Sequence, residues 1–199
     1  MRKLTSIKTV AFLLLALGFA GLAPRPAVAQ SRSRVDAGIN YNYVRTNAPT
    51  GDCGCFGMNG GSGWVAINFS HSLGIVGEIA SQHASNISNS GADLTLTSYM
   101  AGPRYTWGHV RHIAPFAQLL LGGAHASGSL APGSSGLPGS ANSFAMTAGG
   151  GLDIGLTRHF AVRVFEADYY LTRFENGVND HQNNLRIAAG VIFRFGGGN

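Results

Sequence analysis

Near its end the 199-residue chain reads Leu185-Arg186-Ile187-Ala188-Ala189-Gly190-Val191-Ile192-Phe193-Arg194-Phe195. Every second residue from Leu185 to Phe195 is apolar, and two of the positions between them are Arg186 and Arg194. This period of two is that of a β-strand whose faces meet different surroundings. An apolar face, an opposite face with charges and a closing aromatic residue are typical of a β-barrel strand with lipid outside and a polar lumen inside.

The first 29 residues have the features of an export signal. Basic residues at positions 2, 3 and 8 come before the apolar run Val10–Leu22, and Ala27-Val28-Ala29 matches a small-residue cleavage site. The apolar run is shorter than the ~20 residues that a membrane-spanning helix needs. We therefore expect a signal peptide at 1–29, rather than a membrane anchor, and one outer-membrane barrel domain at 30–199.

Most of the net positive charge of the chain comes from the predicted signal peptide. Four of the 14 Lys and Arg residues lie within it, and the remaining ten face nine Asp and Glu residues. So small an excess of positive charge gives no support for nucleic-acid binding. The predicted mature chain has no lysine. Its positive charge is carried by arginine, which suits enclosed ion pairs because the planar guanidinium stays charged and can bind a carboxylate through two hydrogen bonds.

Period-two alternation recurs along the chain and predicts an all-β fold, an eight-stranded antiparallel up-and-down transmembrane β-barrel. The predicted strands are Arg34–Arg45, Trp64–His71, Ile75–His83, Asp93–Trp107, Ile113–His125, Ser143–Leu156, Phe160–Thr172 and Asn184–Phe195. Short links alternate with longer polar connections, as in barrels with brief periplasmic turns and larger external loops. The longer connections are Thr46–Gly63, Ala84–Ala92, Ala126–Asn142 and Arg173–Asn183.

Three local features refine this prediction. Pro103 cannot donate a ladder hydrogen bond, which is compatible with a bulge in the fourth strand. Val164 and Phe165 are consecutive apolar residues, so the seventh strand needs a β-bulge to keep its alternation. Aromatic residues near strand ends predict girdles at the membrane interfaces, although the general β-propensity of Tyr and Trp is an alternative explanation. The residues assigned to the girdles are Tyr41, Tyr43, Trp64, Tyr99, Tyr105, Trp107, Tyr169 and Tyr170.

The predicted inward face collects charges of both signs. Side chains just fill a barrel of eight strands, so charges inside it must pair. We expect a network of ion pairs that plugs the lumen; an ion-conducting path or a catalytic acid–base pair is the alternative. The expected members of this network are Glu78, Arg104, Asp153, Arg163, Glu166, Asp168, Arg186 and Arg194.

The two cysteines lie together in the first long connection, as Cys53-Gly54-Cys55. The periplasmic route is oxidising, so Cys53 and Cys55 can form a loop disulfide, although a ring across one residue is strained. A metal site is the alternative, but two sulfur atoms do not complete a zinc site. We expect no cofactor, since the seven histidines lack the spacing of a zinc-hydrolase helix.

The chain resembles the small outer-membrane β-barrel family typified by the OmpA transmembrane domain and OmpX. The resemblance rests on Val191–Phe195, Ala101–Tyr105 and Phe160–Val164, together with the predicted signal and the alternating loops. It covers essentially all of 30–195. It implies a location in the bacterial outer membrane, contact with outer-membrane lipid, and assembly by periplasmic chaperones and the barrel-insertion machinery.

In this family the insertion machinery reads the aromatic end of the last strand. The resemblance therefore implies that Phe193 and Phe195 serve as the insertion signal. The sequence departs from the family here, because Phe195 is followed by Gly196-Gly197-Gly198-Asn199, whereas family members usually end on the aromatic residue itself.

These features predict an integral outer-membrane barrel with a structural or surface-interaction role, such as adhesion or binding of an extracellular partner through its loops. We expect a monomer without enzymatic activity. A narrow solute pore and an outer-membrane lipid-modifying enzyme are the alternatives. An enzymatic role would rest on analogy of fold alone.

Overall fold

The computed structural model describes residues 35–46, 56–70, 72–87, 91–108, 112–129, 131, 139–174 and 180–196. Contacts divide the chain into Met1–Gln30 and Ser31–Asn199, and the described residues all belong to the second unit. The predicted signal peptide and the Cys53–Cys55 pair lie outside the described residues, so both stay predictions. No helix in the described part of the chain is long and apolar enough to cross a membrane.

Eight antiparallel strands close into one barrel in chain order, which confirms the predicted fold class. They are β1 (Val35–Arg45), β2 (Gly57–Asn68), β3 (Leu73–Ile87), β4 (Ala92–Thr106), β5 (Ile113–Gly128), β6 (Gly139–Gly155), β7 (Phe160–Thr172) and β8 (Gln182–Phe195). The barrel closes where β1 pairs with β8, from Val35 opposite Phe195 to Arg45 opposite Leu185. Below, the turn side is the end with connections 69–72, 107–112 and 156–159, and the loop side is the opposite end.

Side chains alternate between the lumen and the outer wall, as the sequence predicted. On β8, Leu185 and Ile187 are exposed on the outside, whereas Arg186 and Ala188 are buried inside. The bilayer accounts for this inverted pattern, because a barrel in lipid exposes its apolar face and encloses its polar one.

Two aromatic bands surround the outer wall, with aliphatic residues between them. The turn-side band contains Phe69, Tyr105, Trp107, Phe193 and Phe195, and the loop-side band contains Tyr41, Tyr43, Tyr99, Phe144 and Tyr169. Trp64 and Tyr170 were wrongly assigned to these girdles, since they are only 3% and 1% exposed and point into the lumen. Trp64 looked like a strand end because the glycine-rich segment before it looked like a loop.

That glycine-rich segment is part of β2, which begins at Gly57 rather than Trp64. The predicted loop Thr46–Gly63 is therefore wrong in its second half. Glycines have weak β-propensity, but here two strands approach each other more closely than a side chain allows: a Cβ on Gly60 would lie 1.9 Å from the carbonyl oxygen of Ser81.

Other strands also extend further on the loop side than predicted. Residues 88–91 alone connect β3 to β4, so the predicted loop Ala84–Ala92 is wrong, and β5 and β6 take up both ends of the predicted loop Ala126–Asn142. These extensions carry polar residues such as Ser85 and Asn142 outward, and a cross-strand hydrogen bond of 2.9 Å links Asn142 to His125. Their outward faces are polar, so they lack the apolar outer face by which the sequence revealed the other strand segments.

The expected bulge in β7 is confirmed. The register of β7 shifts between Arg163 and Glu166 against β8, and between Leu152 and Asp153 against β6. The shift turns both Arg163 and Glu166 into the lumen. The suggested bulge at Pro103 is wrong: pairing with β5 lapses at residues 102–103 and resumes at Arg104 in the same register.

Candidate functional site: the barrel lumen

Arg186 on β8 lies at the centre of the loop-side half of a buried ionic network. Its Nε and Nη2 atoms donate to Oδ2 of Asp168 at 2.9 and 2.7 Å. Its Nη1 donates to Glu78 of β3 on another part of the barrel wall, and its Nη2 also reaches Oε1 of Glu166 at 3.3 Å. One guanidinium therefore joins three carboxylates from β3 and β7 across the lumen.

Arg163 on β7 organises the turn-side half in the same way. It binds Asp153 through two parallel hydrogen bonds, from Nε at 2.9 Å and from Nη2 at 3.2 Å. Its Nη1 donates to Oε2 of Glu166 at 2.6 Å. Because Glu166 contacts both Arg163 and Arg186, it couples the two halves into one network.

Arg104 joins this network through an amide rather than a carboxylate. Its Nε and Nη2 donate to Oε1 of Gln118 at 3.0 and 2.8 Å, and Nε2 of Gln118 donates to Oε1 of Glu166 at 2.6 Å. Several guanidinium groups and several carboxylates thus lie close together within one enclosed volume. Gln118 was not among the predicted members of the network, all of which are charged.

Two aromatic residues hold the turn-side guanidinium groups. Arg104 and Arg163 lie 4.4 and 4.5 Å from the ring centroid of Trp64, and 4.7 and 4.2 Å from that of Phe116. Cation–π attraction is strongest where water is excluded, and all four residues are buried. Sequence reasoning missed Trp64 and Phe116 as members of the site, although the inward parity of Phe116 beside Gln118 was a usable signal.

Seven of the eight predicted charged residues meet in this network, and Arg194 does not. Arg194 is half-buried near the turn-side end of β8, and one guanidinium nitrogen lies against Gly155. Within the described ranges, no carboxylate forms an ion pair with it. The strand parity that placed Arg194 inside could not show that it lies beyond the reach of the network.

An apolar cluster fills the lumen on the loop side of the ionic network. It includes the inward-facing residues Val44, Met58, Ile87, Leu96 and Phe174. Gln182 holds Phe174 in place, since its side chain donates to the Phe174 carbonyl at 2.8 Å and accepts from the Phe174 amide at 3.1 Å. Charged and apolar side chains therefore both occupy the interior, together with neutral polar residues such as Asn42 and Gln82.

Two further predictions concern chemistry outside the network. Phe193 and Phe195 lie on the outer wall at the turn-side end of β8 and are about half exposed, and their part in insertion stays a prediction. Among the described residues, no group of three or more His, Cys, Asp or Glu side chains could hold a metal ion.

The sequence matches the family model described as "Outer membrane protein beta-barrel domain" over residues 12–193. The chain belongs to this family. The family match and the closed barrel together place the protein in the bacterial outer membrane and confirm the resemblance seen in the sequence. Comparison with curated proteins gives no match.

Solved structures with the same architecture come from several bacteria. Neisserial surface protein A matches with a TM-score of 0.63 and 15% identity, over 82% of this chain and 98% of that one. Ail, the attachment invasion locus protein of Yersinia pestis, matches with a TM-score of 0.54 and 18% identity, over 82% and 99%. OprG from Pseudomonas aeruginosa matches with a TM-score of 0.52 and 13% identity, over 84% and 99%. At these identities the likeness establishes the fold alone.

Proposed function

We propose that this outer-membrane barrel is a closed, non-enzymatic scaffold whose function lies on its cell-surface side, in attachment or binding of an extracellular partner. The carrying observation is the filled lumen, in which Arg163, Arg186 and Glu166 form one buried network below a layer of apolar side chains. A barrel of eight strands leaves no space for a wide channel once its interior is occupied.

The state of the buried carboxylates supports a structural role for them. Glu78, Asp153, Glu166 and Asp168 each contact a guanidinium group. An acid or base that acts on a substrate must reach it, whereas these groups are enclosed between strands. We infer that they stabilise the barrel rather than catalyse a reaction.

The loop side supports the proposed surface role. In outer-membrane barrels the longer connections face the exterior, and three of this chain's connections on that side, 46–56, 129–138 and 173–181, are longer than any on the turn side. The Yersinia barrel is named for attachment and invasion, and we propose a function of the same general kind for this chain.

Two measurements test the proposal. Purified protein in planar lipid bilayers should give no stable conductance steps, because the plugged lumen excludes hydrated ions; regular openings would instead favour a solute pore. Bacteria that express the protein should adhere to surfaces or host cells more than matched cells whose 46–56 and 129–138 connections are replaced by short turns. If cells with the original and the loop-replaced protein adhere equally at equal surface expression, the proposed interaction role is wrong.

A further inference from the structure

A pocket of about 520 Å³ opens at the loop-side rim of the barrel, at the ends of β2 and β3. Its apolar part comes from Phe56 and Ile87, and its polar part from Asn59, His83, Ser85 and Asn86. None of the residues of the ionic network lines the pocket, so the two sites are separate. Its volume lies within the range of small-molecule binding sites.

An irregularity in the strand pair shapes this pocket. The register between β3 and β4 shifts between Ala84 and Ile87, and Asn86 adopts a left-handed backbone with φ of 50°. Such a bulge bends the strand and redirects its side chains. Two hydrogen bonds fix the conformation of Asn86. Its backbone N–H donates to Oδ1 of Asp93 at 3.1 Å, and its side-chain Oδ1 accepts from the backbone N–H of Gly91 at 3.1 Å.

Hydrogen bonds also orient the other polar side chains and leave some of their atoms available. Tyr41 donates to Oδ1 of Asn59 at 2.6 Å, so the amide nitrogen of Asn59 remains a donor for a ligand. Nδ1 of His83 is paired with Thr95 at 2.9 Å, which leaves Nε2 for a ligand. Asn59, His83 and Asn86 are therefore each held by a neighbour through one side-chain atom and offer another.

The lining of this pocket has a recognisable chemical character. Among the described residues that line it are an aromatic and an aliphatic side chain, two amides, an imidazole and a hydroxyl, and none of these lining residues is Lys, Arg, Asp or Glu. Anions and cations have no fixed counter-charge among these side chains. A ligand with apolar C–H faces and many hydroxyl groups matches this set, because amides both donate and accept and the aromatic ring can cover a C–H face.

We propose that this pocket binds an uncharged saccharide unit. The proposal rests on the surface role proposed above and specifies a ligand class for it. The pocket lies just beyond Tyr41 and Tyr43 of the loop-side aromatic band, which marks the membrane interface. At this height the sugar can come from a glycolipid headgroup of the outer leaflet or from a free glycan outside the cell.

The test uses the full mature barrel in phospholipid nanodiscs that contain no glycolipid. The probes are a neutral oligosaccharide from the lipopolysaccharide core, freed of its phosphate and acidic sugar groups, and a panel of neutral disaccharides and free glycans, measured by saturation-transfer NMR and by titration. We expect saturable binding to one probe class, weakened about 10-fold or more in the Asn59→Ala/His83→Ala double variant, because each lost hydrogen bond contributes about 1 kcal/mol and 1.4 kcal/mol corresponds to a factor of ten. Preference for the core oligosaccharide or for free glycans identifies the source of the sugar.

The matched control is the His125→Ala/Asn142→Ala double variant. These residues form the same kind of outward hydrogen bond, at 2.9 Å between β5 and β6, but do not line the pocket. This control should bind like the original protein. Equal loss in both variants, no saturable binding at millimolar saccharide, or binding restricted to phosphorylated sugars would each overturn the proposal. If binding is absent but loop replacement still abolishes adhesion, the saccharide site fails and the surface role stands.

Discussion

Arg163 and Trp64 face each other inside the barrel, with the guanidinium carbon 4.5 Å from the indole ring centroid. The same indole lies 4.4 Å from the guanidinium carbon of Arg104. Two like charges are thus held against one indole ring, and the nearby carboxylates compensate them. The barrel interior depends on aromatic packing as well as on ion pairing.

Replacing Trp64 should therefore destabilise the barrel strongly. We expect Trp64→Ala to lower the free energy of unfolding by about 3–5 kcal/mol, because it leaves a cavity and removes cation–π contacts to two buried arginines. Urea unfolding in detergent micelles, followed by heat-modifiable gel migration, measures the change. Trp107→Ala is the control, since Trp107 is 38% exposed on the outer wall; equal losses in the two variants would contradict the importance assigned to Trp64.

The two tryptophans should also differ in their contact with lipid. In a Trp107→Phe variant the remaining indole of Trp64 is enclosed in the lumen, whereas in a Trp64→Phe variant the remaining indole of Trp107 lies in the turn-side aromatic band. Brominated phospholipids should quench fluorescence strongly in the second variant and weakly in the first. Strong quenching of both indoles would show that Trp64 does not face the lumen.

Arg186 should be costly to remove because three carboxylates depend on it. Arg186→Leu leaves Glu78 and Asp168 without a guanidinium partner in a buried site. Loss of one partner from a buried ion pair typically costs about 3–5 kcal/mol, which sets the expected decrease in unfolding free energy. Arg173→Leu changes an exposed arginine and should have little effect. The account of the network fails if Arg186→Leu unfolds at the same urea concentration as this control.

Glycines in β2 should tolerate substitution very differently. A Cβ on Gly60 would lie 1.9 Å from the carbonyl oxygen of Ser81, whereas a Cβ on Gly63 would have open space around it. We expect Gly60→Ala to lower stability by about 1–3 kcal/mol or to reduce the folded yield, because backbone atoms must move apart. Gly63→Ala should fold like the original chain. Refolding yield into lipid vesicles compares the two, and equal yields would contradict the close approach of β2 and β3.

The membrane-embedded part of this barrel could be read from the sequence because lipid imposes a strict alternation on it. The structure confirms the alternation predicted for Leu185–Phe195 and the bulge predicted at Val164 and Phe165. The same reasoning failed on the loop side, where β2 begins among glycines and β3 continues past His83 with Ser85 facing outward. Above the membrane both faces of a strand can be polar or small, so the alternation that identifies strands disappears.

The sequence predicted which charged residues face the lumen, but it did not predict which of them contact each other. Strand parity places Glu78 and Arg186 inside, yet their contact joins residues 108 positions apart in the chain. Which inward residues meet depends on strand register, and register depends on the bulge in β7 and on the unexpected length of β2. For that reason the inward parity of Arg194 did not reveal that the network of described ion pairs leaves it out.

The ladder between β1 and β8 has a consequence for the biogenesis of this protein. The earliest and latest strands to leave the ribosome are the pair that seals the wall. A product truncated before residue 182 would keep two open edges, and unsatisfied peptide groups are not tolerated in hydrocarbon. The barrel therefore cannot close until the last strand has been synthesised, and chains that lack β8 cannot reach the mature fold.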